Sequence, residues 1–535
     1  MKRIIFIISF LFVIVIGITV FYFKSIGSAE NTAEKVFNTL PEDASLVFEC
    51  KNEGYFFDIF KDFSLFSDLL GKKSADHLKA LKSVFIEDNL LKEVFENSEL
   101  YFSLHKTATN QADLLVATAF SSNKSQDFAH LLATMKSKYI VKDSSNYHYL
   151  NFNNDSRFYF AFSNDLMLGS FNEELLKNTL NNKQQNHKPA FTFKKITGNQ
   201  RNKNSIANLY INYVNLNKLL NNFSNRKNPV ETANLKSFHA ISALNINYQS
   251  NALMFSGTTE LDDNQKEYSA LLLNQKPGKN TLSNILPYDA ASYLFYFVSD
   301  GKSFDTKLNE LLSHRKELAK KHQQVQNISQ KHSINIDKEL PEVIGSEFGT
   351  VQLASRDKLG LIKSKKIDRL AFIFSAISSA TNEPRIRRFD DSDLLYYYLG
   401  DPFQEFKRPL YTMIENHIIV SNDMSSLKRF LNNYETQNFL SRTDKNIYFQ
   451  EYLSNQGNIF FFIHNGNSKG NIRSFLSGTS YKNMLSDDFD WKNIYGFSIQ
   501  FSADKDKFFT NLFMSKIPQP TEIKQETLPL DSLLK

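Results

Sequence analysis

The segment LPEDASLVF (residues 40–48) returns 246 positions later as LPYDAASYLF (residues 286–295). In each copy a proline, which holds φ at about −65° and has no backbone N–H to donate, is followed two positions later by an aspartate. An apolar, partly aromatic run then begins. This order predicts a turn that leads into a strand, with the carboxylates of Asp43 and Asp289 accepting a backbone N–H that closes each turn.

Three further pairs of segments repeat in the same order and at nearly the same spacing. They are residues 164–182 with 416–433, 208–213 with 458–463, and 243–248 with 496–501. Self-similarity at one long period is typical of a duplicated structural unit. We therefore expect two tandem repeats, residues 39–275 and 280–517, joined near NQKPGKN (residues 274–280).

Short apolar segments, several of them alternating apolar with polar residues, predict strands in both repeats. Clear examples are SELYFSLH, DLLVATAF, RFYFAFS, ANLYINYV and SALNINY. EELLKNTLNN and DHLKALKSVF instead place Leu or Phe three and four positions apart, as an amphipathic helix does. Strands outnumber helices and often follow one another directly. The sequence therefore predicts an α+β fold of mostly antiparallel sheet with packed helices.

The second repeat contains a long charged stretch, residues 304–332, with a sparse apolar stripe. The stripe consists of Leu308, Leu311, Leu312, Leu318, Val325 and Ile328. At ~1.5 Å per residue, this stretch predicts one amphipathic helix of about 40 Å lying along the sheet. A coiled-coil arm for a partner is the alternative, although Arg315 and His322 interrupt its apolar seam.

The N-terminal region predicts a membrane anchor. Residues 4–23 carry no charge and are long enough, at ~1.5 Å per residue, to cross the roughly 30 Å hydrocarbon core of a bilayer. Residues 1–3 would then form a cytoplasmic end and residues 24–38 a polar stalk. A cleaved signal peptide is the alternative, because small residues at 27–29 suit a signal peptidase, but its apolar region is normally shorter.

Lys2 and Arg3 precede the apolar span and favour a cytoplasmic N-terminus, with the body periplasmic or otherwise extracytoplasmic. At the other end, residues 518–535 are polar and interrupted by proline, which predicts a disordered tail. The expected chain is thus a single-pass membrane protein with one large body.

Composition excludes some classes of protein. The chain has 63 Lys and Arg against 57 Asp and Glu, without a block of like charges. A nucleic-acid-binding face needs clustered basic residues, so this distribution argues against that function. Cys50 is the only cysteine, which excludes an intramolecular disulfide and a metal site of paired thiolates. A core rich in phenylalanine must therefore stabilise the exported body.

Three histidines lie near one another in the sequence, at positions 314, 322 and 332. Spacings of eight and ten residues place His314, His322 and His332 more than ~12 Å apart on a helix, so we do not expect them to share a metal ion. The lone thiol of Cys50 falls in a predicted strand, where a half-buried, unreactive side chain is the expected state.

Acidic clusters occur at FDDSD (residues 389–393) and SDDFDW (residues 486–491), but both lack the glycine and distal glutamate of a calcium loop. NGNSKGN (residues 465–471) predicts a turn. The chain also lacks HExxH, GxGxxG and GxxxxGK[ST]. We therefore predict no catalytic, cofactor-binding or metal-ligating residues and a protein that is not an enzyme.

The start of each repeat resembles a family of uncharacterised bacterial membrane-anchored proteins with a domain of unknown function. The resemblance lies in Leu40, Pro41, Asp43 and Ala44, and in Leu286, Pro287, Asp289 and Ala290. It implies no activity and no site residues.

The sequence leads to three candidate functions. The first is a non-catalytic binding or scaffold protein of the bacterial envelope, with an envelope protein as partner. The second is a carrier or sensor for an apolar ligand such as lipid, because Phe-rich strands such as NIFFFI and YLFYFV can line an apolar groove. An aromatic core without a ligand explains the same strands. An enzyme without a recognised motif is the third.

Overall fold

The computed structural model of the chain describes most of the body. The described residues are 33–51, 72–85, 87–88, 98–106, 112–119, 128–144, 146–152, 156–163, 165–182, 205, 207–225, 238–249, 251–262, 267–486 and 491–518. The predicted anchor (4–23), most of the predicted stalk and nearly all of the predicted tail lie outside them. None of the described helices combines the length and the hydropathy needed to cross a bilayer.

The described chain divides into two compact units, and the first contains residues 33–51 and 76–222. Its strands are β1 (Leu46–Lys51), β2 (Glu99–Lys106), β3 (Ala112–Ala119), β4 (Val141–Asp143), β5 (His148–Asn151), β6 (Arg157–Ser163), β7 (Leu166–Ser170) and β8 (Ala207–Asn212). Its helices are α1 (Lys72–Phe85), α2 (Phe128–Lys138), α3 (Glu173–Asn182) and α4 (Tyr213–Phe223). The strands pair antiparallel in the order β8-β1-β2-β3-β7-β6-β5-β4.

The second unit contains residues 223–518. Its strands are β9 (Ala240–Gln249), β10 (Ala252–Leu261), β11 (Gly278–Lys279), β12 (Ala290–Phe297), β13 (Ile344–Leu353), β14 (Lys358–Ser364), β15 (Ser378–Ala380), β16 (Arg387–Phe389), β17 (Leu410–Ile414), β18 (His417–Ser421), β19 (Gln456–Gly457), β20 (Ile459–His464), β21 (Ile494–Asp504) and β22 (Lys507–Lys516).

The helices of the second unit are more numerous than those described in the first. They are α5 (Gly301–His314), α6 (Leu318–His332), α7 (Ile336–Val343), α8 (Ile367–Ala376), α9 (Leu394–Leu399), α10 (Met424–Glu435), α11 (Asp444–Glu451), α12 (Lys469–Phe475) and α13 (Gly478–Met484), with 3-10 turns at Tyr268–Leu272, Leu282–Ile285, Asp401–Phe403, Leu440–Arg442 and Trp491–Asn493.

Antiparallel pairing also builds the main sheet of the second unit. The order is β9-β10-β22-β21-β20-β12-β13-β14-β18-β17-β16-β15, and β11 pairs with β19 separately. Within it, the run from β20 to β15 has the same order of strands as the whole sheet of the first unit. The predicted α+β class with antiparallel sheet is confirmed.

The opening turn of the first unit is closed by backbone groups. Ala44 N–H donates to Pro41 O at 3.1 Å. The side-chain amide of Asn215 then donates to Glu42 O at 2.7 Å and to Ala44 O at 3.1 Å. The predicted role of Asp43 was therefore wrong, because its Oδ1 instead pairs with His105 Nδ1 at 2.8 Å. A side chain distant in the sequence holds the turn in place of the local carboxylate.

The second unit repeats this arrangement. Ala290 N–H donates to Pro287 O at 2.9 Å. The amide of Asn467 donates to Tyr288 O at 2.8 Å and to Ala290 O at 2.9 Å. The predicted carboxylate cap is again wrong, since Asp289 Oδ2 lies 3.5 Å from Arg429 Nη1 and makes no bond to the turn. We call Asn215 and Asn467, with the carbonyls that they bind, the turn clamps.

Each clamp asparagine is itself positioned by the residue three places before it. Asn215 N–H donates to Asn212 Oδ1 and Asn467 N–H donates to His464 Nδ1, both at 3.0 Å. Burial lowers the pKa of His464 to about 4. Its imidazole is therefore neutral at neutral pH, and a free lone pair on Nδ1 can accept this bond.

The predicted single helix at 304–332 is wrong. The chain forms α5 and α6 instead, separated by a corner at which Lys316 has φ +61°. Glu317 N–H bonds back to Leu312 O at 2.8 Å, which ends α5 in a tight turn. Arg315, placed at the corner, forms a two-pronged ion pair with Asp401. Arg315 is thereby engaged within the unit.

Aromatic side chains fill the core between the sheet and α11 in the second unit. Tyr293 and Phe295 stack with ring centroids 4.6 Å apart. Phe449 of α11 contacts Phe462 and Phe513 edge to face at 5.2 and 5.0 Å. Such pairs add to the free energy gained from burying the rings. Part of the phenylalanine content of the sequence is accounted for by this packing.

The turn clamps can be tested by mutation. Asn215→Ala and Asn467→Ala should each lower the free energy of unfolding by about 1–3 kcal/mol, because two backbone carbonyls lose their donor. Urea unfolding followed by circular dichroism measures the change. Asn432→Ala, at an exposed position on α10, is the control and should have little effect. Clamp variants that unfold like Asn432→Ala would contradict this role.

Candidate functional site

A cleft in the second unit is bounded by α5, α7, α9 and the start of β13. Its lining residues are Val298, Gly301, Phe304, Asp305, Pro341, Ile344, Gly345, Phe348, Lys365, Tyr398 and Leu399. The space that water-sized groups can occupy in it measures about 40 Å³. Apolar walls with a few polar groups are the usual composition of a small-molecule site.

The first turn of α5 forms one side of the cleft. Asp300 caps this helix, with Oδ1 accepting from Lys302 N–H and Ser303 N–H at 3.1 Å each. Gly301 follows the cap. No heavy atom lies within 4 Å of the position that a Cβ would take at Gly301. The absent side chain leaves the cleft open at this point.

Behind this wall lies a buried lysine. Lys321 of α6 is 2% exposed, and its Nζ donates to Asn309 Oδ1 at 2.6 Å. The ammonium lies 3.6 Å from Asp305 Oδ1 and 4.7 Å from the ring centroid of Tyr398. Burial lowers the pKa of Lys321, while the charges of Asp305 and Asp337 oppose that effect. The enclosed amine ties α5 and α6 to α9.

Tyr398 joins this network to α7. Its hydroxyl donates to Asp337 Oδ1 at 2.6 Å. Burial, reinforced by Asp337, raises the pKa of Tyr398, so the phenol stays neutral at ordinary pH. Asp305 and Tyr398, the polar residues at the back of the cleft, are therefore already engaged with other side chains.

Lys365 differs from these groups. It lines the cleft, its side chain is exposed, and no carboxylate of the described chain lies within 4.0 Å of its ammonium. Its backbone N–H donates to Val343 O at 2.9 Å, which holds this residue beside the end of α7. The cleft thus combines apolar walls, polar groups that are already hydrogen-bonded or ion-paired, and a lysine without a carboxylate partner among the described residues.

The histidines weighed in the sequence lie apart. His314 and His322 are exposed, and His332 Nε2 is 3.9 Å from Asp391 Oδ2. Within the described residues, no group of three or more His, Cys, Asp and Glu side chains is placed to hold a metal ion. Cys50 is buried in β1, and burial raises the pKa of its thiol, which makes the reactive thiolate scarce.

The carboxylates of the acidic cluster at 389–393 each contact a different partner. Asp390 accepts from Ser379 Oγ, Asp391 faces Lys331 at 3.7 Å, and Asp393 pairs with Lys407 at 2.8 Å. The cluster at 486–491 falls largely outside the described residues. The segment at 465–471 forms the predicted turn and supplies the second turn clamp.

That segment also contains GNSKG (residues 466–470), which matches the GxSxG pattern of many hydrolases and follows a strand and precedes a helix. Ser468 is 3% exposed, and its hydroxyl donates to Ala291 O at 2.9 Å. A nucleophilic serine must stand exposed on a strained turn, whereas Ser468 has φ −83° and ψ −4°. Ser468 therefore holds the turn and is not placed as a nucleophile, although the segment matches the GxSxG pattern.

The first unit contains a triad of side chains that the sequence analysis missed. His105 Nε2 lies 2.7 Å from Ser103 Oγ, and its Nδ1 lies 2.8 Å from Asp43 Oδ1, as in serine hydrolases. However, the serine and histidine are fully buried while the aspartate side chain is 48% exposed. In a catalytic triad the serine must be accessible to substrate, whereas the aspartate can be buried. The spacing of Ser103 and His105 on one strand face was the available signal.

Comparison with protein-family models, curated proteins and solved structures finds no match to this chain. The resemblance carried by the LPxDA segments stays a prediction.

Lys321 should make stability depend on pH in one direction. Its folded-state pKa lies below the ordinary value of 10.5, so the unfolded chain binds more protons between the two values. Stability should therefore rise as pH increases toward 10.5, as the enclosed ammonium loses its charge. Urea unfolding at several pH values measures this for the wild type and for Lys321→Met, which lacks the titrating group.

The wild type should gain stability relative to Lys321→Met as pH rises. Lys320→Met, at the exposed neighbouring position, is the matched control and should follow the wild type. Parallel pH curves for the wild type and Lys321→Met would show that Lys321 is not desolvated in the folded protein.

Proposed function

We propose that this chain is a non-catalytic, membrane-anchored extracytoplasmic protein of the bacterial envelope that binds or scaffolds an envelope partner. The observation that carries the proposal is the repetition of one framework, of strand order and turn clamps, in two units. The hydrogen-bonded group around Glu49 does not recur among the described residues. A framework kept twice favours a role in presenting surface over a role in catalysis.

Tandem duplication, with copies at 39–275 and 280–517, is part of this proposal. It is supported by the matching run of strands and by the matching donors and acceptors of Asn215 and Asn467. The antiparallel pairing of β10 with β22 adds support. It brings Ser256 opposite Asn511, which lies at the corresponding place in the other strand.

One buried polar group of the first unit has apolar counterparts in the second. In β1, Glu49 lies opposite Tyr101 and Asn208 and accepts hydrogen bonds from both. By strand register the corresponding residues in the second unit are Phe295, Gly349 and Phe460. The shared framework folds with either set, which is why no common buried site supports an enzyme here.

A carrier or sensor of an apolar ligand is the second candidate, and the cleft beside α5 favours it. Its walls include the apolar residues Phe304, Ile344 and Phe348. In this candidate the chain binds a small molecule, whereas in the first it binds a protein.

Site-specific photo-crosslinking in the native envelope tests the leading proposal. A photoreactive amino acid replaces exposed apolar residues, namely Phe372 (56% exposed) and Leu485 (62% exposed), or the exposed polar control Lys505. We expect a discrete protein adduct from an apolar position and none from Lys505. Adducts with lipid alone, or equal labelling from all three positions, would contradict a protein partner.

Topology gives a separate prediction. Alkaline phosphatase fused after Ile517 should be active, because this enzyme folds only outside the cytoplasm and Lys2 and Arg3 favour export of the body. A green fluorescent protein fusion at the same position should stay dark. An inactive phosphatase fusion with a fluorescent partner fusion would place the body in the cytoplasm.

A further inference from the structure

We propose that Lys321 of α6 and Asn309 of α5 join in an intramolecular isopeptide bond, a secondary amide between their two side chains. Asp305, one turn before Asn309 in α5, moves the protons of the reaction. The bond forms once in each chain, so it is a modification of the folded protein and not an enzymatic turnover. The inference does not depend on the proposed function.

The three side chains already contact one another. Lys321 Nζ donates to Asn309 Oδ1 at 2.6 Å. Asn309 Nδ2 donates to Asp305 Oδ2 at 3.3 Å, and Oδ1 of the same carboxylate lies 3.6 Å from Lys321 Nζ. Each oxygen of Asp305 therefore faces one of the two nitrogens that exchange places on the amide carbon. Groups held together in this way react without the entropy cost of a bimolecular encounter.

Burial favours the reactive form of the lysine. Lys321 is 2% exposed, and its Nζ lies 4.7 Å from the ring centroid of Tyr398. Desolvation lowers the pKa of Lys321 and so favours the neutral amine, although the charges of Asp305 and Asp337 oppose this effect. The neutral amine is the form that attacks a carbonyl carbon. Exclusion of water also limits competing hydrolysis of the amide.

The reaction balances without a further reactant. The ammonium of Lys321 gives a proton to Asp305, and the amine nitrogen attacks Cγ of Asn309 with the freed electron pair. A C–N bond forms, and the carbonyl oxygen takes the negative charge. When the carbonyl forms again, the bond from Cγ to Nδ2 breaks, and the leaving nitrogen takes the proton from Asp305. The new amide nitrogen loses its extra proton through the same carboxylate, so one ammonium ion leaves and the chain loses one positive charge.

The cleft beside α5 has room for the ammonia that leaves. Asp305 is part of the lining, and the space there for water-sized groups measures about 40 Å³. The Asp305 side chain is 34% exposed and contacts Asn309, so the leaving nitrogen lies beside a group that solvent reaches. Loss of ammonia to solvent makes the bond permanent.

The bond fastens α5 to α6 across the corner at Lys316. Because the chain has one cysteine, no disulfide within it can do this. A covalent link between residues 309 and 321 restricts the unfolded chain and thereby stabilises the folded one. An amide does not titrate, so the pH dependence predicted above for Lys321 applies to chains whose mass shows that the amine is free.

Peptide mapping by mass spectrometry tests the inference on the full chain extracted from membranes in detergent. Trypsin cleaves after lysine and arginine, but not after a lysine whose amine has become an amide. The bond should therefore join peptides 308–315 and 321–331 in one branched product. The mass of that product should be lower than the summed mass of the two peptides by one ammonia molecule, and fragmentation should place the link at Asn309 and Lys321.

Variants test each role. Asn309→Ala and Lys321→Met lack one reacting group and should give no branched product. Asp305→Asn should form it at least about a hundredfold more slowly, the effect of removing a group that transfers protons. Lys320→Met, at the exposed neighbouring position, is the matched control and should keep the bond. Circular dichroism of every variant checks that the helices are present.

A second lysine and asparagine pair is an internal control. Lys218 Nζ donates to Asn215 Oδ1 at 3.4 Å, but Lys218 is exposed and its ammonium stays hydrated. This pair should remain unlinked in the same digest. Equal linkage of both pairs would show that burial and Asp305 do not direct the reaction.

The wild-type digest alone can overturn the inference. Peptide 322–331, released by cleavage after Lys321, together with unlinked 308–315 and no branched product, would show that the bond does not form. Ammonia loss located only in other peptides would have the same meaning. A branched product that forms equally fast in Asp305→Asn would overturn the role of Asp305 and leave the bond itself established.

Discussion

In each unit one asparagine amide satisfies two backbone carbonyls of a turn that leads into a strand, β1 in the first unit and β12 in the second. A buried carbonyl without a donor is unfavourable, and the proline of the turn has no N–H to offer. One asparagine amide supplies both donors, from Asn215 in the first unit and Asn467 in the second. Because this asparagine follows the strand that pairs with that strand, β8 beside β1 and β20 beside β12, one contact joins segments more than 170 residues apart.

The two units show how differently one framework can be filled. Asn212 and His464 perform the same task, since either side chain can accept the backbone N–H of the clamp asparagine. The sheet interior diverges more, with Glu49 in one unit at the place of Phe295 in the other. Backbone pairing sets the strand order, and the side chains between the layers need only fill space and satisfy their polar atoms.

The helices between β12 and β13 make the second unit distinctive. Their corner at Lys316 turns α6 back beside α5 and encloses Lys321 among groups from three helices. That network is satisfied internally and lies beside the cleft, which Gly301 and Lys365 also line.

Hydrogen-bonding geometry alone does not show that a group of side chains is catalytic, as the serine, histidine and aspartate of the first unit demonstrate. Ser103 and His105 have hydrogen-bonding partners that suit catalysis, yet they are fully buried. The GNSKG segment of the second unit gives the same lesson from sequence, since Ser468 is used to hold Ala291. In both cases the accessibility of the serine hydroxyl decides whether it can act as a nucleophile. That accessibility is set by the folded structure and not by the sequence pattern.

The sequence by itself determined the elements whose signals are local. Apolar periodicity located several strands, β2, β3, β6, β8 and β9 among them, and the helices α1 and α3, and proline with a following apolar run located the turns before β1 and β12. It predicted the α+β class correctly for the same reason.

The turn clamps were missed because Asn215 and Asn467 lie more than 170 residues from the carbonyls that they bind. The helix corner at Lys316 was missed because no glycine or proline marks it. The cleft joins residues from 298 to 399 that share no sequence pattern. Local chain preferences can be read in order along the sequence, whereas clamps, corners and clefts depend on which distant side chains the fold brings within a few ångströms.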